Sequence, residues 1–337
     1  MPSHKGKRLP TMRARRKVLL LGLSALLPLP RALAQQPRVW RVGVLETTSM
    51  SLNAANFDAF RKGLNALGYT EGRNLVFDYR SAEGRGERFP QLANELVKSG
   101  VDVIVTRGTP ALLAASKATT TIPIVMAAIG EAPGHKIVAT LARPGGNVTG
   151  LSAFVTELTG KRFEMLREAI PKLSRVAILL NMGNPISLAQ WNEAQVAARS
   201  LGMQVQLLDI RKAEELEPAL LQAAKQHVGG LVVGIDVFTQ ANRKAIAELC
   251  AKHRLPAAYA SKEFAESGGL LSYGVSYPDL YYRAATMVHK IFLGTRPGDL
   301  PVEQPTKYEL VINRKAAASL GLTLPASLLI RADELLG

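Results

Sequence analysis

The chain has 337 residues, 47% of them apolar, with 42 Lys and Arg against 27 Asp and Glu for a formal net charge of +15. Eight of the basic residues and none of the acidic ones fall within residues 1–34, so the rest carries about +7, a moderate excess that bears on solubility. No basic cluster with interleaved aromatics is present, Cys250 is the single cysteine, and His135, His227, His253 and His289 share no metal-ligand spacing, so nucleic-acid binding, an internal disulfide and a metal site are not expected.

Arg13, Arg15, Arg16 and Lys17 precede the apolar run "VLLLGLSALLPL" (18–29), and "ALA" (32–34) follows. This order of basic region, apolar core and small residues predicts a secretory signal cut after Ala34. The run is 12 residues long, short of the ~20 that a spanning helix needs, so the mature chain is not expected to cross a membrane. The Arg pair in "ARRKVLL" leaves the general and twin-arginine export routes both open.

Beyond the signal, short β-rich runs alternate with longer amphipathic ones. "VWRVGVL" (39–45) reads as a strand, "NAANFDAFRKGLNALG" (53–68) as a helix, "LVFDYR" (75–80) as a strand and "FPQLANELVKSG" (89–100) as a helix. "VDVIVT" (101–106) is a strand, "TPALLAASKA" (109–118) a helix with Thr109 as its cap, and "IPIVMAA" (122–128) a strand. "RPGGNVTGLS" (143–152) then interrupts the rhythm. It resumes with helices at 157–170, 186–202, 213–227 and 239–253 between strands at 175–181, 203–210, 230–236 and 256–260. A helix at 277–294, an extended link at 301–305, a strand at 308–313 and a short helix at 314–321 finish the chain.

Strands apolar on both faces and separated by helices imply parallel sheets covered on both sides. Two such series give an α/β fold of two doubly wound parallel-sheet lobes. If the helix at 277–294 returns to the first lobe and "YELVIN" joins the second, the chain crosses between lobes three times, near 145–152, 270–276 and 298–306. Lobe one is then 35–148 with about 274–299, and lobe two 149–273 with about 300–337.

In open parallel sheets, ligands lie beyond the carboxyl ends of the strands, against helix N-termini. That rule selects Thr47, Thr48, Gly108, Thr109 and Gly130 in lobe one, and Thr156, Asn181 and Asp236 in lobe two, with Tyr273 at the second crossing. The threonines could equally be helix caps, and Asp236 suits either an ammonium group or a cap. Glu131 and Glu263 read as solvated loop charges, and Tyr273 as the aromatic placed to stack on a ligand. No G-x-G-x-x-G, G-x-x-x-x-G-K-[ST], G-x-S-x-G or H-E-x-x-H is present, so neither a catalytic signature nor a cofactor is expected. An exported two-lobe protein without these signatures fits ligand capture by hinge closure, with Gly145 and Gly146 as a flexible crossover.

"GLNALGYTEGRNLVFDYRSAEG" (63–84), "KATTTIPIV" (117–125), "LARPGGNVTGLS" (141–152), "TELTGKRFEML" (156–166) and most of 268–336 resemble the solute-binding proteins of ABC transporters in the tryptophan/tyrosine-uptake-like group. The resemblance implies a type I periplasmic-binding fold, a periplasmic receptor that closes on a small ligand, transient docking to permease subunits and no enzymatic activity. It favours amino-acid-like ligands, and the protein is expected to act as a monomer. The family's usual Asp-Pro after the fourth strand is here Ala132-Pro133, with Glu131 one place earlier, so a contact made by that Asp does not carry over. An exported hydrolase or lyase using the same cleft, and a periplasmic ligand sensor, are the competing expectations.

Overall fold

The computed structural model describes residues 38–130, 138–153 and 156–337; the signal at 1–34 and the positions Glu131, Ala132, Pro133 and Phe154 lie outside them. The first series forms β1 (Trp40–Glu46), α1 (Ala54–Ala66), β2 (Leu75–Ser81), α2 (Phe89–Lys98), β3 (Val103–Arg107), α3 (Thr109–Ala118), β4 (Ile124–Ile129) and β5 (Val148–Ser152). These strands make one sheet, parallel throughout, in the order β2-β1-β3-β4-β5. Every residue of β3 and β4 is buried, as helices on both faces require of a parallel sheet.

Lobe two begins with α4 (Glu157–Ala169), β6 (Arg175–Leu180), α5 (Ser187–Ser200), β7 (Gln204–Asp209), α6 (Leu216–Lys225) and β8 (Gly230–Val233). It continues through α7 (Val237–Ala241), α8 (Arg243–Lys252), β9 (Ala257–Tyr259), α9 (Lys262–Glu266) and β10 (Leu271–Val275). After α10 (Tyr277–Phe292) come β11 (Tyr308–Asn313), α11 (Arg314–Ser319), α12 (Ala326–Ile330) and β12 (Glu334–Leu336). The second sheet runs β12-β11-β10-β9-β8-β6-β7 and is parallel except where β11 lies antiparallel to β10.

α9, α12 and β12 were not expected from the sequence, and three further differences bear on the cleft. Val148–Ser152 pairs with β4, so the first sheet extends through Ser152, where the sequence reading had ended lobe one at 148. The Gly145–Gly146 turn (φ +69° and +61°) therefore precedes the last strand of lobe one, and the crossing itself falls between Ser152 and α4. The helix expected at 239–253 is two helices broken at Asn242, because Asp236 caps an earlier start: its side chain accepts from Phe238 N at 2.7 Å while Thr239 Oγ1 accepts from Asp236 N at 3.1 Å. Finally, β10 was missed. Its Gly274 reads as a loop residue, yet a Cβ there would lie 2.0 Å from Ala260 O, so a neighbouring backbone occupies the side-chain space.

Helix α10 does return to lobe one, where it packs on α1. Trp40 and Phe292 stack with ring centroids 4.0 Å apart, and Tyr69 Oη lies 2.9 Å from His289 Nδ1. Close approach depends on Gly63, where a Cβ would lie 2.7 Å from Ala285 Cβ and 2.8 Å from Tyr282 O. Gly63→Val should destabilise the protein by about 1–3 kcal/mol through overpacking, read as a melting temperature lowered by several degrees in circular dichroism; an unchanged melting curve would contradict this packing.

Candidate functional site

The carboxyl ends of β1, β3 and β4 face those of β6 and β8 across a cleft, and a cavity with about 460 Å³ of atom-free space, partly continuous with solvent, lies between them. Thr47, Gly108, Thr109 and Gly130 line it from lobe one and Asp236 from lobe two, so five of the sequence-selected positions converge. Thr48 is buried just behind Thr47, and its carbonyl accepts from Tyr79 Oη at 2.9 Å. Thr156 stands at the N-cap of α4. Asn181 lies in the outer part of the cleft, and its Nδ2 donates to Asp236 Oδ1 at 3.0 Å.

The threonine hydroxyls do not cap. Gly108, with φ +83°, holds the N-cap position of α3, which puts Thr109 inside the helix. Among the described residues, Oγ1 of Thr47, Thr48, Thr109 and Thr156 is in each case buried and without a hydrogen-bond partner. Unsatisfied buried hydroxyls are uncommon in folded proteins and call for an explanation. Asp236 caps α7, accepts from Asn184 Nδ2 at 2.8 Å, and lines the cavity.

Tyr273 is not part of the cavity wall. Its ring stacks on Tyr308, centroids 6.4 Å apart, and its carbonyl accepts from Arg162 Nε at 2.9 Å. The aromatic wall is Tyr277, at the first turn of α10. The sequence reading also passed over Arg107, Asn184 and Gln240, which line the same cavity. Arg107 carried a signal: it ends an otherwise apolar strand at the carboxyl edge, between residues that the strand-end rule did select.

Arg107 organises a buried polar group beneath the cavity. Its Nη1 donates to Asn53 Oδ1 at 3.0 Å, its Nη2 lies 3.7 Å from Glu263 Oε1, and its guanidinium carbon sits 4.3 Å from the Tyr277 ring centroid. Glu263 is therefore no solvated loop charge: its side chain is 17% exposed, and Asn56 Nδ2 donates to it at 3.2 Å. Burial pushes the Glu263 carboxyl up, but the Arg107 charge together with hydrogen bonds from Ser261, its own backbone and Asn56 outweighs it and holds the group below its ordinary value. Glu46, fully buried at the end of β1, accepts from Tyr281 Oη and from Thr47 N; burial dominates there and pushes its carboxyl up.

Among the described residues, no group of three or more His, Cys, Asp or Glu could hold a metal, and no helix is long and apolar enough to cross a membrane.

Residues 41–336 match the profile of a family described as ABC transporter substrate binding protein. A tyrosine-binding protein of Clostridioides difficile (strain R20291) is 25% identical over 263 residues, 78% of this chain and 75% of that one. The crystal structure of an ABC domain from Streptococcus pneumoniae in complex with L-Trp is 26% identical with a TM-score of 0.81, covering 88% of this chain and 100% of that one. A conserved domain protein from Vibrio cholerae is 29% identical with a TM-score of 0.82 and the same coverage.

The raised Glu46 carboxyl fixes a sign. A carboxyl raised on folding contributes stability below its ordinary value of 4.5 and loses that contribution as pH rises through its folded value. In denaturant unfolding, the wild type should therefore lose stability relative to Glu46→Gln as pH rises from 4.5; parallel curves would show that burial does not govern this group.

Proposed function

This chain belongs to the ABC transporter substrate-binding protein family, and we propose that it captures a small amino-acid-like solute by closing its two lobes on the cavity between them. The observation that carries the reading is the opposition across one cavity of unpartnered hydroxyls on lobe one and a hydrogen-bonded carboxylate on lobe two. Oγ1 of Thr47 and Thr109, with the free N–H groups at the start of α3, receive the solute's carboxylate. Asp236, oriented by Asn181 and Asn184, receives its ammonium group. Gly108 and Gly130 bring backbone close to the solute, and the Tyr277 ring covers it. Thr48, Thr156 and Tyr273 support the walls without contact. The tyrosine-binding relative and the L-Trp complex support an amino acid as the solute class.

In this reading lobe one comprises residues 38–152 with α10, lobe two the remainder, and the three crossings are the hinge. The Gly145–Gly146 turn sits at the start of the third, since Gly145 N donates to Gly298 O at 3.2 Å. The signal at 1–34 directs export to the periplasm, where the monomer delivers its solute to the permease subunits of an importer.

Mass spectrometry of small molecules released from the purified protein should find an amino acid or close analogue, unchanged by incubation. That compound at 100 times its Kd should stabilise the fold by about 2.7 kcal/mol in a thermal-shift assay. Thr109→Ala should weaken binding roughly tenfold, and Asp236→Asn, which keeps the helix cap but removes the charge, roughly ten- to a hundredfold. Unchanged affinity in both variants would refute the site.

A further inference from the structure

Glu263 is not among the residues lining the cavity, yet it is a lobe-two group that meets lobe-one side chains across the cleft. From α9 it meets Asn56 of α1 at 3.2 Å and lies 3.7 Å from Arg107 at the end of β3. Among the described ion pairs, this is the one in which both side chains are less than one-fifth exposed, at 5% and 17%. The remaining pairs lie largely at the surface, where ion pairs contribute little.

We propose that Glu263 is a positioning residue of the binding site: by gripping Arg107 and Asn56 it latches the lobes together and fixes the cavity wall formed by Arg107 and Tyr277, without touching the solute. The inference rests on the reading that the lobes open and close around a solute. Three links make the chain of action. Glu263 neutralises Arg107, Arg107 holds the Tyr277 ring from 4.3 Å, and Arg107 and Tyr277 both line the cavity.

Electrostatics sets the direction. Burial works against charge on both partners, yet the Glu263 carboxyl ends below its ordinary value and the Arg107 guanidinium above its own. For each group the loss of hydration is the largest single effect and is outweighed only by several partners together: Tyr281, Glu263, Glu46 and Tyr277 around Arg107, and Arg107, Ser261 and Asn56 around Glu263. Separating the lobes would leave Arg107 with its lobe-one neighbours Asn53, Glu46, Tyr277 and Tyr281 and take the Glu263 carboxylate away. Loss of the one counter-charge that reaches it across the cleft biases the pair of lobes towards closure. Arg243 Nη2 donates to Leu52 O at 3.0 Å and adds a second tie between α8 and the loop before α1.

Small-angle scattering of the solute-free full chain tests this without a ligand. The wild type should scatter as the closed form, and Glu263→Gln should shift the closing equilibrium at least tenfold towards an open form with a larger radius of gyration. Glu263→Asp, keeping the charge, should recover part of the shift. With L-tyrosine and L-tryptophan as probes, Glu263→Gln should raise Kd for any that binds by a similar factor and leave the preference between them unchanged, as expected of a group that acts through closure. Scattering of a folded Glu263→Gln that superimposes on the wild type would overturn the latch. Should that variant not fold, Asn56→Ala should open the lobes to a smaller extent, and an unaltered curve would overturn the proposal equally. Opening that persists when neither probe binds would count against the assigned solute class and leave the latch standing.

Discussion

A guanidinium buried at the carboxyl end of a central strand constrains nearly everything around it. Arg107 has 4% residue exposure, and a lone charge in such a place is far costlier than any surface interaction could offset. The chain answers with Asn53 from the loop before α1, Tyr277 and Tyr281 from α10, Glu46 from β1 and Glu263 from α9. These groups come from both lobes and from the helix that crosses between them. The need to compensate one charge thus gathers the ends of four separate segments at the floor of the cleft.

The two walls of the cavity solve opposite problems. Asp236 is held by Asn181, Asn184 and the first turn of α7, so its orientation is settled before any solute arrives. Thr47 and Thr109 keep hydroxyls with no hydrogen-bond partner among the described residues. A carboxylate oriented in advance loses little entropy on meeting an ammonium group. Hydroxyls left wanting create a standing demand for an acceptor or donor, which a polar solute end or water can meet. Preorganisation on one side and unsatisfied capacity on the other give a cleft that discriminates by hydrogen bonding as well as by shape.

Much of this was legible in the sequence, because buried parallel strands are written as unbroken apolar runs. β1, β3, β4 and β6 stand within one or two residues of their expected limits. What could not be read are elements whose identity depends on distant partners. "VTGLS" is too short and too polar to be called a strand until β4 lies beside it. "LSYGV" hides β10 behind a glycine that is required by the backbone of Ala260. The strand-end rule selected Thr47, Thr109 and Asp236 for sound reasons, since it concerns where chain ends point. It missed Arg107 and Tyr277 because a charge in a strand and an aromatic in a helix each have an ordinary local reading, and only the fold reveals that they face each other.

The crossings show why closure and binding belong together. The third runs along the last strand of lobe one: Glu303 N donates to Gly150 O and Ser152 N to Glu303 O, both at 2.9 Å, so the link before β11 is stitched along β5. The second is abrupt, since only Ser276 separates β10 from α10. Arg162 of α4, fully buried and pushed down to about 10 by that burial, ties the start of lobe two to the carbonyl of Tyr273 just before this second crossing. Tyr277, the first residue beyond it, is the aromatic wall of the cavity. Tyr277 is packed in the core of lobe one and held over Arg107, so it stays with that lobe while Asp236 and Asn184 swing away with lobe two. A solute that needs Tyr277 and Asp236 at once therefore meets both only in the closed form and selects that form by the need alone.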